Sequence, residues 1–182
     1  MRLSTQPVNN LEELESILSS RNDFPRPYSV AVEALLFDQS GNWIMVTRGP
    51  ASKDEVGKLE GIGGRFENEP DFQTALKREI VEEVGDDARI DILRPFEIRT
   101  DTVELANSPM KEKKHWIIVS YICCLRSGEV QVREPTKNSG FVRVPVDRVD
   151  VGKLSSSAQT ALKSLRSEWA QVKSLLDEQS SS

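Results

Sequence analysis

The chain has 182 residues, of which 37% are hydrophobic and 29% charged, and its formal net charge is −5. These values suit one soluble globular domain with a sizeable core. The acidic balance argues against a nucleic-acid duplex or an anionic membrane as main partner, because phosphate backbones call for a basic face. A small phosphorylated ligand needs only local positive charge or a metal and stays open.

The segment Met1–Gln6 lacks the apolar run of a secretory signal, and no stretch of ~18 apolar residues offers a membrane span. Cys123 and Cys124 are adjacent, so on a strand they point to opposite faces and cannot readily bridge. Two reduced thiols fit a reducing compartment, and a cytoplasmic location is expected.

In chain order, Asn10–Ser20 reads as a short helix, with Leu11, Leu14, Ile17 and Leu18 on one stripe and Asn10 and Glu13 at capping-box spacing. Pro25 and Pro27 end that segment. Tyr28–Phe37 is a buried strand, joined through the turn Asp38–Asn42 to a second strand at Trp43–Thr47. A polar loop, Gly49–Gly57, leads through Lys58–Ile62 into Gly63-Gly64. From Asp71 to Val84 the pattern is helical: Phe72, Leu76, Ile80 and Val84 form an apolar ridge, Asp71 caps its start and Gly85 stops it.

Strands are expected at Arg89–Arg99, His115–Leu125, Glu129–Arg133 and Phe141–Val144, separated by long loops at Thr102–Lys114 and Glu134–Gly140. A single final helix, Ser155–Glu178, carries a core stripe through Ala158, Leu162, Leu165, Trp169, Val172 and Leu176. The organisation expected is an N-terminal helical extension (1–26), a main domain (27–178) and a disordered tail (179–182). Strands with interspersed helices imply an α/β or α+β layered fold.

The chemistry concentrates on one helical turn. Positions i, i+3 and i+4 share a helix face, so Glu79, Glu82 and Glu83 project together. Like charges at this spacing cost about 0.2–0.5 kcal/mol per pair, and a divalent cation relieves that repulsion. Carboxylate oxygens suit Mg²⁺, with Mn²⁺ as a substitute. Arg78 can orient the cluster, and the Gly63-Gly64 bend lets a backbone carbonyl, Gly63 for instance, approach the same ion.

The segment resembles the Nudix box, G-x5-E-x7-R-E-U-x-E-E-x-G-U with U a bulky apolar residue. Gly64, Arg78, Glu79, Ile80, Glu82, Glu83 and Gly85 match it. Gly57-Lys58-Leu59-Glu60 and Val46-Thr47-Arg48 resemble the lead-in of MutT-like members. There are departures: the first box glutamate falls on Pro70, with Glu69 one place early, the last apolar position is Asp86, and Ile62 replaces the usual proline.

The resemblance implies an α/β/α sandwich around a mixed sheet and Mg²⁺-dependent hydrolysis of a phosphoanhydride in a nucleotide-like small molecule. Glu79, Glu82, Glu83 and Arg78 would be the catalytic group, with the same three glutamates and Gly63 as metal ligands. Arg48 and Arg65 would serve the substrate phosphates; the proton of the attacking water would go to one of the helix glutamates or to a glutamate of a later loop at the substrate site, for which Glu134, three residues earlier than its MutT-like counterpart, is the nearest candidate. His115, the one histidine, begins a strand and is expected at its edge. The cleft is expected between the box helix and the two long loops. The asparagine with which MutT-like members contact the base has no clear match near Ser155–Ser157. Dimerisation is common in the family and is left open. The alternative, motivated by Pro70 and Asp86, is an inactive Nudix-like module that binds a nucleotide or protein.

Overall fold

A computed structural model describes residues 2–4, 7–19, 27–52, 54–104 and 113–180. The elements are β1 (Arg2–Ser4), α1 (Leu11–Ser19), β2 (Tyr28–Phe37), β3 (Asn42–Arg48), β4 (Leu59–Glu60), β5 (Ile62–Arg65), α2 (Phe72–Val84), β6 (Arg89–Glu104), β7 (Lys113–Ser127), β8 (Asn138–Pro145), α3 (Ser156–Ser167) and α4 (Trp169–Ser180). Two 3-10 turns, Val146–Arg148 and Val151–Lys153, lead into α3. The expected tail therefore begins inside α4, and its residues 181–182, like the expected extension's residues 20–26, lie outside the described set.

The strands form one mixed sheet in the order β1-β6-β7-β2-β3-β4, with β5 also on β2 and β8 on β3. The β2–β7 pair is parallel, running from Tyr28↔His115 to Phe37↔Cys124. The outer edge of β2 is divided: Ala31–Ala34 pair with β5, and Leu36 and Phe37 pair with β3. Because side chains alternate along a strand, β2 feeds two cores. Val32, Ala34 and Leu36 pack with α1 and α2 on one face, while Leu35 and Phe37 pack with α3 and α4 on the other. The adjacent cysteines divide the same way, Cys123 into the first core and Cys124 into the second, and both are free thiols. Helices on both faces of a mixed sheet make the α/β/α sandwich that was expected.

Local chemistry sets the helix ends. Asp71 Oδ1 accepts from Thr74 N at 2.7 Å at the start of α2, and Gly85 N donates to Val81 O at 3.0 Å at its end. Ser155 Oγ accepts from Ala158 N at 3.1 Å and caps α3. At α1, Asn10 Oδ1 accepts from Glu13 N at 2.9 Å, while the Glu13 carboxylate reaches back to Asn9 N at 2.8 Å.

Three expectations are corrected. Glu129–Arg133 is not a strand: it runs past the end of α2, with Gln131 N donating to Val84 O and Val130 packed on the core, and it pairs with no sheet edge. The single final helix is two. Glu168 leaves helical geometry at φ −114° and ψ 14°, and its N–H closes α3 on Ser164 O. The apolar stripe nevertheless continues across the break, since Leu165, Val172 and Leu176 enter one core. The loop expected from Thr102 is shorter, because β6 and β7 stay paired out to Glu104↔Lys113; residues 105–112 lie outside the described set.

The N-terminal segment is built into the domain. β1 pairs with β6, and Leu14 and Leu18 of α1 are fully buried in the α2-side core. Leu14→Ala is therefore expected to cost about 2–5 kcal/mol. Denaturant unfolding should show this as a lower midpoint of a single transition, whereas an appended helix would show no change in the main transition.

Candidate active site

The α2 glutamates have three different surroundings. Glu83 lines a cavity of about 380 Å³ and accepts hydrogen bonds from Gly63 N at 3.1 Å and Asn138 Nδ2 at 3.2 Å. Glu79 is buried behind Gly64; a Cβ on that glycine would lie 2.4 Å from the Glu79 carboxylate, so any other residue there would push Glu79 from its place. Glu82 is half exposed. Arg78 ties the group together. Its Nη1 donates to Glu79 Oε1 at 2.7 Å and Glu82 Oε2 at 3.1 Å, and its Nη2 donates to Arg65 O at 3.0 Å. Its Nε donates to Glu69 Oε1 at 2.7 Å, and Glu69 Oε2 accepts Glu67 N at 2.9 Å. Glu69 thus joins the loop to the helix from one position before Pro70. Asp86 lies exposed beyond the end of α2.

Burial lifts the Glu83 carboxyl from its ordinary 4.5 to about 7, with Asn138 and Gly63 pulling it down and the negative charges of Glu79 and Glu60 adding to the rise. Glu79 is raised by burial against the pull of Arg78. Glu60, on β4, is also raised by burial, against its ion pair with Arg48, and Glu33 adds to the rise.

Cations are fewer than carboxylates around the cavity. Its acidic lining groups are Glu33, Asp54, Glu55, Glu60, Glu83 and Asp101; its basic ones are Arg48, Arg65 and Lys137. Arg48 is already committed to ion pairs with Asp54 and Glu60. Lys137 pairs with Glu134 at 2.9 Å. A polyanion alone is repelled by such a lining. Hard oxygen donors in excess beside a glycine bend fit a divalent cation, which reverses that balance. Among the described residues no three acidic groups are drawn into a closed cage; Glu79 and Glu82 turn to Arg78 instead, and Glu83 to Gly63 and Asn138.

The structure brings Glu83, Gly63, Arg48 and Arg65 to the cavity and leaves Glu134 off its lining, held at the rim by Lys137. His115 sits on the β6–β7 ladder, its Nδ1 3.1 Å from Thr102 Oγ1. The walls also differ from expectation. The β3–β4 loop closes one side, where Gly49 N and Ala51 N donate to Lys137 O and Thr136 O and Ser156 N at the start of α3 donates to Glu55 Oε1 at 2.8 Å. Glu33, Asp101, Trp116 and Ser157 form the other end, and none of them was anticipated. The alternation Glu97-Ile98-Arg99-Thr100-Asp101 on a strand was the available signal, since it puts three charges on one face.

An α/β/α sandwich carries an acid-rich helix against a glycine bend, and the hard oxygen donors gathered there fit a divalent cation. The chain belongs to the Nudix family: the NUDIX domain model matches residues 27–165. It is a Nudix hydrolase, an enzyme of phosphorus-containing acid anhydrides. None of the curated proteins matches it significantly. Solved structures similar to it include a MutT NUDIX hydrolase from Burkholderia pseudomallei, with TM-score 0.62 and 22% identity over 77% of this chain and 99% of that one. The NUDIX domain of Shewanella oneidensis NrtR, solved with ADP ribose, has TM-score 0.55 and 15% identity over 85% and 98%. A C. elegans Ap4A hydrolase has TM-score 0.56 and 12% identity over 79% and 98%. At these identities the likeness is one of fold. Among the described residues no helix is long and apolar enough to cross a membrane.

The raised Glu83 carboxyl has a stability consequence. Its folded value lies above the unfolded one, so the unfolded chain releases the proton first and metal-free stability falls as pH rises from about 4.5 through 7. Melting temperatures in chelator should decline across that window. Glu83→Gln should flatten the decline; an unchanged slope in that variant would contradict the burial argument.

Proposed function

We propose that this enzyme is a Mg²⁺-dependent pyrophosphohydrolase, with Mn²⁺ able to substitute, that cleaves a phosphoanhydride bond of a nucleoside triphosphate or nucleoside diphosphate derivative. The observation that carries this is Glu83: it lines the cavity, held by the Gly63 N–H, one helical turn from Glu79 and beside Glu82.

Glu79, Glu82 and Glu83 would hold the cation, with Gly63 contributing backbone oxygen. A bound divalent ion neutralises phosphoryl charge and acidifies coordinated water. Arg78 keeps Glu79 and Glu82 oriented through one nitrogen and fixes the loop through Glu69 and Arg65 O. Asn138 orients Glu83. Arg65 and Lys137 line the cavity and offer positive charge to phosphate oxygens. Glu83, lifted by burial to about 7, and Glu60, raised by burial above the ordinary carboxylate range, are the candidates for taking the proton from the attacking water. Glu134, off the cavity lining and paired with Lys137, would set the position of that lysine rather than take the proton. The reading as an inactive binding module loses its main support, because Glu69 makes the bonds that Pro70 cannot and Asp86 lies outside the site.

Glu82→Gln and Glu83→Gln should each lower turnover by roughly 100-fold or more, since even residues that only orient a metal ligand cost ~10–100-fold. Chelation should abolish activity, and Mg²⁺ or Mn²⁺ should restore it. The measurement is phosphate or pyrophosphate release over a panel of nucleotides, nucleotide sugars, ADP-ribose and dinucleoside polyphosphates. Full activity in either variant, or in chelator, would sink the assignment.

A further inference from the structure

The cavity end away from α2 is floored by Glu33, which is 5% exposed. Its two carboxylate oxygens are unlike. Oε2 is held from behind: Ser120 Oγ donates to it at 2.7 Å, and Arg99 Nη1 lies 2.7 Å away. Oε1 accepts no hydrogen bond among the described residues. It packs over Gly61, where a Cβ would come within 2.5 Å of it. Arg99 is fully buried and also donates to Glu97 Oε1 at 3.2 Å and to Ser157 Oγ at 3.0 Å. The Glu33–Arg99–Glu97 group thus sets two acidic side chains around one guanidinium under the cavity floor.

The sheet register sets what surrounds that oxygen. Glu33 pairs with Ser120, Ala31 with Ile118, and Trp116 with Asp101, so these side chains share the face that the cavity covers. Ala31 and Ile118 are apolar. Trp116 is an aromatic wall with Lys114 Nζ 4.1 Å from its ring centroid. A flat ring fits such walls. A phosphate belongs at the Glu83 end, where a divalent cation would offset the carboxylates and Arg65 and Lys137 line the cavity.

We infer that Glu33 is a specificity-determining residue: its unpartnered oxygen accepts an N–H from an exocyclic amino group of the substrate's base and repels a ring carbonyl at the same place. This rests on the proposed nucleotide hydrolysis and adds the class of base. Arg99 and Ser120 are the positioning residues that decide which oxygen is left for the ligand.

The same network dictates the outcome of one substitution. In Glu33→Gln, the position facing Arg99 and Ser120 receives two donors and must be filled by the amide oxygen. The amide NH₂ then faces the cavity, and an acceptor becomes a donor. The preference for amino over carbonyl should therefore reverse.

The test uses nucleotide pairs that differ by amino against oxo: CTP and UTP, ATP and ITP, GTP and XTP. For the base turned over fastest, wild-type enzyme should favour the amino member by roughly 10–100-fold in kcat/KM, the range for a buried hydrogen bond to a charged group. Glu33→Gln should favour the oxo member, with the change falling on KM more than kcat. Glu33→Asp, with a shorter carboxylate, should lose the preference without reversing it, and serves if the glutamine variant does not fold. Equal use of both members by wild type, or an unchanged preference in the variants, overturns the inference while leaving hydrolysis intact. The same pairs as α,β-methylene analogues, measured by calorimetry, separate the two claims. Discriminating binding without hydrolysis of the parent nucleotides would refute the enzyme reading alone; neither binding nor hydrolysis would refute both.

Discussion

Side-chain carboxylates touch bare backbone on both faces of the strand pair β2–β5, and the cavity depends on that contact. Glu79 comes up from α2 against Gly64, and Glu33 comes from the opposite face of β2 against Gly61. Between them Gly63 lies so close to β2 that a Cβ would fall 2.1 Å from Val32 O. Buried carboxylates are costly unless hydrogen-bonded or paired, and here each is. Arg78 serves Glu79, Arg99 serves Glu33, Arg48 serves Glu60, and a backbone N–H with Asn138 serves Glu83. A residue with a side chain at position 61 would displace Glu33 from the cavity lining, and one at position 64 would displace Glu79 from its place beside Arg78.

Those arginines explain why the expected phosphate-binding charges are not simply available. Arg48 looked on sequence like a cation for the substrate, yet it spends its two terminal nitrogens on Asp54 and Glu60. In doing so it links the β3–β4 loop to the strand that enters the glycine bend. Lys137 has no motif to mark it. It reaches the cavity because Gly49 allows the two loops to touch, with Thr136 O only 2.6 Å from where a Cβ would stand. Positive charge at this site is therefore largely structural, which is consistent with a substrate that arrives with divalent cations.

What could be read from the chain was what repeats locally. The ridge Phe72, Leu76, Ile80 and Val84, the caps Asp71 and Gly85, and the spacing of Arg78, Glu79, Glu82 and Glu83 are encoded within one helix and were legible. Strands β2, β3 and β7 showed in their apolar runs. The base end of the cavity was not legible, because it is assembled by pairing: Glu33, Ser120 and Glu97 become neighbours only through the registers of β2 on β7 and β7 on β6. The kink at Glu168 carries no glycine or proline, so nothing local announced it. Glu129–Arg133 has strand-like alternation but finds no edge to pair with, which composition alone does not reveal.

The same division bears on substrate choice. Folds that align with this one at 22% identity or less include a MutT hydrolase, a domain holding ADP ribose and an Ap4A hydrolase, so the scaffold leaves the ligand undetermined. With Glu33 reading the base, selectivity comes from side chains at the end of the cavity remote from α2. A buried ion group is seldom the most stable way to fill such a space, since apolar residues of like volume cost no desolvation. The Glu33–Arg99–Glu97 group also binds α3 to the sheet, through Ser157 Oγ and through Ser164 Oγ donating to Glu97 Oε2 at 2.6 Å. One network therefore fixes both the polarity of the floor and the helix that walls it. A ligand that pairs with the remaining Glu33 oxygen meets a carboxylate whose other oxygen is already held by Ser120 and Arg99.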